Sequence, residues 1–335
     1  MIDLKEKQIF LFAPKFFNYD VEIKKKLESN GAKVDLYDER PSSNFFIKAT
    51  IRLYKKIIVG YIENYFENII NQNKGKKYDY ILVIKGEVLD VNIINKLKSN
   101  FPDAKTILYL WDSLRNYRDI TKCLPLFDKT LTFDLDDSQS IPSLIFRPLF
   151  YIDEYANLDL DTYKEKEYKY DLLFIGTIHS DRWLFLKTVK EEALKNNLKI
   201  YYYLYIQSPI IFLFRKLFDK NFWTISLKEV RFRPISKDKI IELTAKSRAI
   251  LDIQHPKQTG LTIRTIEVTG AKRKLITTNT EISKYDFYSA MNILVVDRNS
   301  PAIPSSFWNS DFYPLSEDVY TKYSLSGWLK DVFDF

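Results

Sequence analysis

The sequence is poor in the residues that staple, bind metal or punctuate a chain. It has one cysteine, Cys123, so no internal disulfide can form and no cysteine zinc cluster can be built. A single thiol also favours a reducing, cytosolic setting. Only two histidines, His179 and His255, and eight glycines occur in 335 residues. A Ser-His-Asp hydrolase would have just these two bases to draw on, and no G-x-S-x-G elbow supports one. No apolar run approaches the roughly 18–20 residues of a membrane span. The opening "MIDLKEK" and "IFLFA" lack the length and flanks of a secretory leader. The chain is therefore expected to be cytoplasmic, either soluble or peripheral. There is no repeat of about 20–50 residues. RNP, zinc-finger and KH signatures are absent, and the basic residues are mixed with 44 acidic ones. Nucleic acid is not an expected partner.

What is present points to a globular enzyme-sized chain. Hydrophobic residues make up 46% and aromatics 16%, enough for real cores and too much for disorder. The net charge of +7 and isoelectric point near 9.0 imply an anionic partner. Nucleic acid, acidic lipid headgroups and sugar nucleotides all qualify by charge, and net charge alone does not choose. The length suggests about two domains.

Short apolar runs alternate with helical patterns. "QIFLFA" (8–13), "KVDLY" (33–37), "YDYILVI" (78–84), "KTILYLW" (105–111), "KTLTF" (129–133) and "SLIF" (143–146) read as strands. Helices are expected over 17–30, 45–73 and 89–100, the first ending at Gly31. The strands are near-continuous apolar runs, as expected when helices cover both faces of a parallel sheet. Residues 1–150 thus predict a Rossmann-like N-terminal lobe. The charged, Tyr-rich stretch 151–170 reads as a linker. The rhythm then restarts over 171–323, with strands at 170–176, 199–206, 249–253, 274–278 and 292–296. Helices are expected at 182–196, 237–247 and 262–269, and a terminal helix at 324–335. The fold class is α/β, two doubly wound lobes facing a cleft. Ligands of such sheets sit at the carboxyl ends of the strands.

That rule locates the candidate sites, each with a plainer alternative. "QHPKQTGLTIRTIEVTGAKRKLITTN" (254–279) gathers His255, Gly260 and Gly270 after the strand "AILDI". Thr262 or Thr259 can cap the next helix. Its N-terminus suits phosphate, Arg264 can fork onto phosphate oxygens, and Glu267 can accept from ribose hydroxyls. His255 could donate to a leaving-group oxygen. The alternative is a packed turn with Arg264 and Glu267 as an ordinary ion pair, since they lie three apart on one helix face. In "YDLLFIGTIHSDR" (170–182), Gly176-Thr177 read as a tight turn, with Ser180 or Asp181 as cap and Arg182 facing a pyrophosphate. The alternative is a loop with a solvent-facing Arg182. In "VIKGE" (83–87), Lys85 and Glu87 follow a strand, where Lys85 can reach an anionic substrate or simply occupy a turn. Asp112 of "LYLWDSLRNY" either deprotonates an acceptor hydroxyl or caps a helix at Ser113. Asp134-Leu-Asp136 resembles a short acidic metal motif, but the two-lobed layout argues for a metal-independent architecture. Pro209 can open a helix of Ile210, Ile211, Phe212, Leu213, Phe214, Leu217 and Phe218 beside Arg215, Lys216 and Lys220. A buried helix is the favoured reading, and an interfacial helix with a basic rim is the alternative.

These stretches resemble a family. "YDLLFIGT" with Arg182 and "AILDIQHPKQTGLTIRTIEVTGAKRKLITTN" are similar to the CgeB-like, or spore-maturation-protein-like, glycosyltransferases of bacterial capsule, exopolysaccharide and lipopolysaccharide clusters. "YDYILVIKGE", "TILYLWDS", "LTFDLDD" and "FRPLF" resemble the same group, so the likeness covers roughly 78–280. It implies a GT-B fold with a nucleotide-sugar donor on the C-terminal lobe and a glycan or lipid-linked acceptor on the N-terminal one. Donor-site candidates are then Gly176, Thr177, Arg182, His255, Gly260, Thr262, Arg264 and Glu267. Asp112, Lys85 and His255 are the catalytic candidates. No cofactor and no divalent metal is expected. Peripheral contact with the inner face of the cytoplasmic membrane is left open. Many retaining GT-B enzymes carry two glutamates eight apart here, but Thr259 stands eight before Glu267, so retaining chemistry does not carry over. His255-Pro256 is similar to the His-Pro pair of some CMP-sugar transferases. The competing class is a non-catalytic nucleotide- or glycan-binding protein of polysaccharide assembly.

Overall fold

The computed structural model describes residues 3–42, 55–158, 168–256 and 259–335. They form two compact units, 1–149 with 325–335, and 150–324. Each unit is built on a six-stranded parallel sheet with helices, so the fold is two Rossmann-like lobes.

In unit 1 the chain runs β1 (Gln8–Ala13), α1 (Tyr19–Ser29), β2 (Lys33–Asp38), α2 (Val59–Gln72), β3 (Tyr80–Ile84), α3 (Val91–Asn100) and β4 (Lys105–Leu110). Then come β5 (Lys129–Thr132), α4 (Leu135–Ser140) and β6 (Ile145–Phe146). The sheet order is β2-β1-β3-β4-β5-β6. Register is set by apolar runs lying side by side, with Ile9 opposite Val34 on one side and Tyr80 on the other. The sequence expects α1 from 17, but it starts at Tyr19 because Phe17 and Asn18 hold left-handed φ of 46° and 61°. It stops before Gly31, whose φ of 90° and approach within 2.9 Å of Lys5 Cα for any added Cβ leave room only for glycine. Of the helix expected over 45–73, residues 45–54 lie outside the described residues; 55–58 form a 3₁₀ turn that leads into α2. Phe10, Phe12, Phe66 and Tyr78 pack the core under this sheet, the Phe10 and Tyr78 rings stacked at 4.5 Å.

The C-terminal helix (Leu325–Phe333) belongs to unit 1. Trp328 is fully buried with its ring edge-on to Tyr109 at 5.0 Å. Asp331 meets the buried Arg147 at 2.6 Å, and Asp334 pairs with the buried Lys129.

Unit 2 begins before the charged stretch ends. Residues 151–158 are structured: the Tyr151 N–H donates to Tyr323 O at 2.9 Å, and α5 (Asp153–Ala156) follows. Residues 159–167 lie outside the described residues. The unit continues as β7 (Tyr170–Thr177), α6 (Arg182–Lys195), β8 (Ile200–Tyr205), α7 (Pro209–Phe218), β9 (Val230–Arg231) and α8 (Lys237–Ala245). It then runs β10 (Ser247–Asp252), α9 (Ile263–Gly270), β11 (Lys274–Thr277), β12 (Ile293–Val295), α10 (Ser305–Asn309) and α11 (Glu317–Lys322). The sheet order is β12-β11-β10-β7-β8-β9. The chain builds β8 and β9 to one side of β7, then returns to place β10 on the other. The order therefore reverses between β7 and β10, which is where such sheets open a crevice for ligand. The two-residue edge strand β9 has no sequence signal, because two residues carry no period.

Candidate functional site

Both strand ends that border this reversal come from stretches singled out in the sequence. β7 ends at Thr177, and β10 ends at Asp252. The two histidines of the chain meet there, with ring centroids 5.3 Å apart. Burial pushes His179 down to about 3, helped by the charges of Arg182, His255 and Arg215. It is a neutral imidazole near pH 7 and can accept or donate one hydrogen bond.

Gly176-Thr177 are not a tight turn. The strand runs through both residues, and the turn falls at Ser180, with φ of 50°. Gly176 is instead closely approached by side chains. A Cβ there would lie 3.0 Å from the Phe174 ring and 3.4 Å from Arg182 Nη1. Arg182 is not solvent-facing. Its Nε donates to Ile253 O at 2.7 Å and its Nη1 to Thr177 O at 2.9 Å, so it ties the β7 and β10 ends together. Burial draws its pKa below the usual guanidinium value.

Asp181 precedes α6 without capping it, because its carboxylate is taken elsewhere. Arg298 holds it by two bonds, Nε to Oδ2 at 2.6 Å and Nη2 to Oδ1 at 2.8 Å. These bonds, ahead of the burial that opposes them, hold the Asp181 carboxyl below its usual range. The same guanidinium donates to Gln254 O and Thr278 Oγ1. Arg298 thus laces together the loops after β7, β10, β11 and β12. Sequence reasoning missed it, because "VVDRNS" carries no motif; its only signal is a position just past a strand end. Beside it, Gln254 Oε1 is buried with no hydrogen-bond partner among the described residues.

The helix after β10 is fixed by hydroxyls. Thr262 is the N-cap of α9, accepting from the Thr265 N–H at 3.3 Å. Thr262 and Thr265 hydroxyls both donate to the buried Asp252, at 2.7 and 2.9 Å. Asp252 thereby pins the positive end of α9 against the strand that precedes it. Arg264 and Glu267 form an ion pair at 2.9 Å, and the Glu267 side chain is only 7% exposed. The Tyr155 hydroxyl beside them is pushed up, by burial first and then by the Glu267 charge. Gly260 is buried in the loop, next to Thr259, whose carbonyl accepts from Asn279 Nδ2 at 3.2 Å. Lys257 and Gln258 lie outside the described residues. Gly270 is the last residue of α9 and serves packing: a Cβ there would fall 2.3 Å from Tyr151 Cγ.

Unit 1 holds the other candidates. Lys85 sits just past β3 in a strained left-handed conformation, φ 81°, and its Nζ is 3.0 Å from Glu87 Oε2. Two residues missed in the sequence complete the group. Arg40 Nη1 approaches Glu87 at 3.6 Å, and the wholly buried Glu39 accepts from the Glu87 N–H at 2.9 Å. Burial pushes Glu39 up to about 7, against the opposing charge of Lys85. Asp112 lies just past β4, with Oδ1 accepting from Asn116 Nδ2 at 2.6 Å and the Ser113 N–H at 3.2 Å. In place of the helix expected at Ser113, the chain makes a three-residue 3₁₀ turn, Leu114–Asn116. Asp134 caps α4, accepting from the Asp136 and Asp137 N–H groups and from the Ser113 hydroxyl. Among the described residues no three carboxylate, imidazole or thiol groups are gathered as a metal would need.

The architecture has known counterparts. The chain is similar to Anabaena HepE in complex with UDP and glucose, at 10% identity, 98% coverage of both chains and a TM-score of 0.61. It is similar to an alpha-glucosyltransferase in complex with UDP and mismatched DNA, at 15% identity, 98% coverage of both and a TM-score of 0.60. It is also similar to sucrose-phosphate synthase of Thermosynechococcus elongatus, at 10% identity, 98% and 95% coverage and a TM-score of 0.54. These neighbours are GT-B glycosyltransferases, and the likeness establishes the GT-B fold of this chain. Neither the protein-family profiles nor the curated proteins compared with the chain gave a match.

Proposed function

We propose that this protein is a glycosyltransferase of the CgeB-like kind. It moves a sugar from a nucleotide donor to a surface polysaccharide or lipid-linked glycan, at the inner face of the cytoplasmic membrane. The observation that carries the reading is the reversal of strand order between β7 and β10. There the two histidines meet, Arg182 and Arg298 tie the surrounding loops together, and the positive end of α9 lies beside them with Arg264 on its first turn. This is an environment for phosphate.

In this reading the donor nucleotide lies over Gly176, Thr177, Gly260 and Thr262, and Glu267 accepts from its ribose or sugar. The bond between the sugar's anomeric carbon and the donor phosphate breaks. Arg264 and the α9 N-terminus take up the negative charge left on that phosphate. His255 hydrogen-bonds the departing oxygen. The acceptor hydroxyl forms the new bond to the anomeric carbon and gives its proton to Asp112, while Lys85 holds an anionic acceptor. With arginine and helix dipole serving the leaving group, no metal ion is assigned a role.

A thermal-shift panel of UDP-, GDP-, dTDP- and CMP-sugars tests the donor site. A specific shift that disappears in Arg264→Ala and in Glu267→Ala is the expected result, and no shift with any nucleotide would sink it. Asp112→Asn should abolish transfer, by about 10²–10⁴-fold for a lost general base, yet keep donor binding. Donor binding without transfer or donor hydrolysis in the wild-type chain would favour the non-catalytic binding protein instead.

A further inference from the structure

α7 is the place where the sequence expectation of burial fails. Its apolar residues Ile210, Leu213, Phe214, Leu217 and Phe218 recur at i, i+3, i+4, i+7 and i+8, one stripe of a helix. In an ordinary surface helix that stripe faces the core. Here it faces out: Ile210 is 81% exposed, Phe218 is 73%, and the other three are near 60%. Only Phe212, on the opposite side, is buried. The turn after the helix extends the surface with Trp223 and Leu227, each 62% exposed. It is tied to the helix by Lys216 Nζ, which donates to Trp223 O and Ile225 O.

The charge around the stripe is predominantly positive. Residues 209–233 carry six cations against two carboxylates. Of the carboxylates, Glu229 is engaged by Tyr202 and Lys190, and Asp219 caps the following turn 4.0 Å from Arg215. Lys220, Lys228, Arg231 and Arg233 are exposed. A surface groove of about 840 Å³ beside the stripe is lined by the apolar Ile210, Ile211, Phe214 and Phe218 and by Arg215, Asp219 and Lys220.

We propose that α7 and the turn after it dock unit 2 onto the surface of an anionic phospholipid bilayer. An apolar stripe with cations beside it satisfies both layers of such a surface: acyl chains take the phenylalanines and leucines, and headgroup phosphates take the lysines and arginines. A protein partner would leave the cations asking for a matching acidic face, and a second copy of this surface brings like charges together. This extends the membrane part of the proposed function and does not depend on the transfer chemistry, because lipid and nucleotide binding are read separately.

The test is flotation of the full chain with vesicles of phosphatidylcholine alone or with about a third phosphatidylglycerol. The wild-type chain should float with the anionic vesicles and should be released by high salt. Phe214→Ser with Phe218→Ser should lower partition at least tenfold. Lys220→Glu with Lys228→Glu should lower it more than about 25-fold, at about fivefold per cation near the surface. All four side chains substituted are exposed, and an unchanged melting temperature and nucleotide-induced shift check that the fold survives. Failure of the wild-type chain to float with anionic vesicles at low salt overturns the proposal. So does flotation that neither double variant weakens. Lipid-free self-association that the Phe214→Ser, Phe218→Ser variant abolishes would assign the stripe to a second copy and overturn it as well.

Discussion

His179 and Glu39 are ionisable groups that burial shifts in opposite senses, and the sign of each shift is testable. His179 in the folded chain refuses a proton down to about pH 3, whereas an unfolded histidine accepts one near 6.5. The stability it contributes is fully present above pH 6.5 and is lost as pH falls toward 3. Glu39 behaves in reverse. Its folded carboxyl keeps its proton up to about 7 against an ordinary 4.5, so its contribution is full below 4.5 and is lost as pH rises through 7. Urea unfolding from pH 4 to 8 should therefore show His179→Gln losing the acid-side fall and Glu39→Gln losing the neutral-side one. Profiles parallel to wild type in both variants would refute the burial argument. Neither shift is legible in the sequence, since burial of a strand-end side chain depends on which loops close over it. The same holds for Arg298. Read locally, Asp181 is a cap and Arg182 a free cation, yet each is consumed by a partner distant in sequence: Arg298 is 117 residues away, and the Ile253 carbonyl is 71.

Elements are far more legible than their partners. The strands of both sheets, the two-residue β9 excepted, announce themselves as apolar runs because they are covered on both faces. The α9 region shows the limit. Its cap, Thr262, can be expected from local hydrogen bonding; its anchor, Asp252, is a side chain ten residues back whose role appears only when strand and helix are side by side. Gly270 gathers with His255 and Gly260 in the sequence, as if for a ligand. It is instead where α9 passes against the buried Tyr151, while its carbonyl accepts from the Tyr320 hydroxyl at 2.6 Å. Gly270→Ala should therefore destabilise by about 3 kcal/mol, because a methyl at 2.3 Å from an aromatic carbon forces backbone or ring to move. Denaturant unfolding measures this, and a loss under about 0.5 kcal/mol would refute the packing role. α7 errs in the other direction: an amphipathic pattern predicts that a helix has two faces, but not which of them turns outward.

At the scale of the whole molecule, the chain order and the units differ. The sequence places two α/β rhythms one after the other and leaves 324–335 as a terminal helix without a home. That helix completes unit 1, separated from the rest of the unit by the 175 residues of unit 2. No local pattern predicts this, because the helix's apolar face would suit either sheet. Its docking is specified by paired contacts: Trp328 on Tyr109, Phe333 against Tyr80, Asp331 on the buried Arg147, and Asp334 on the buried Lys129. Truncating Trp328 removes the largest of its buried side chains, and Trp328→Ala should cost about 3–5 kcal/mol. The loss belongs to unit 1. Hydrogen exchange should show β3, β4 and β5 losing protection, while β7 and β10 keep theirs. Protection lost equally in β7 and β10, or retained in β4, would show that the helix does not stabilise unit 1 in this selective way.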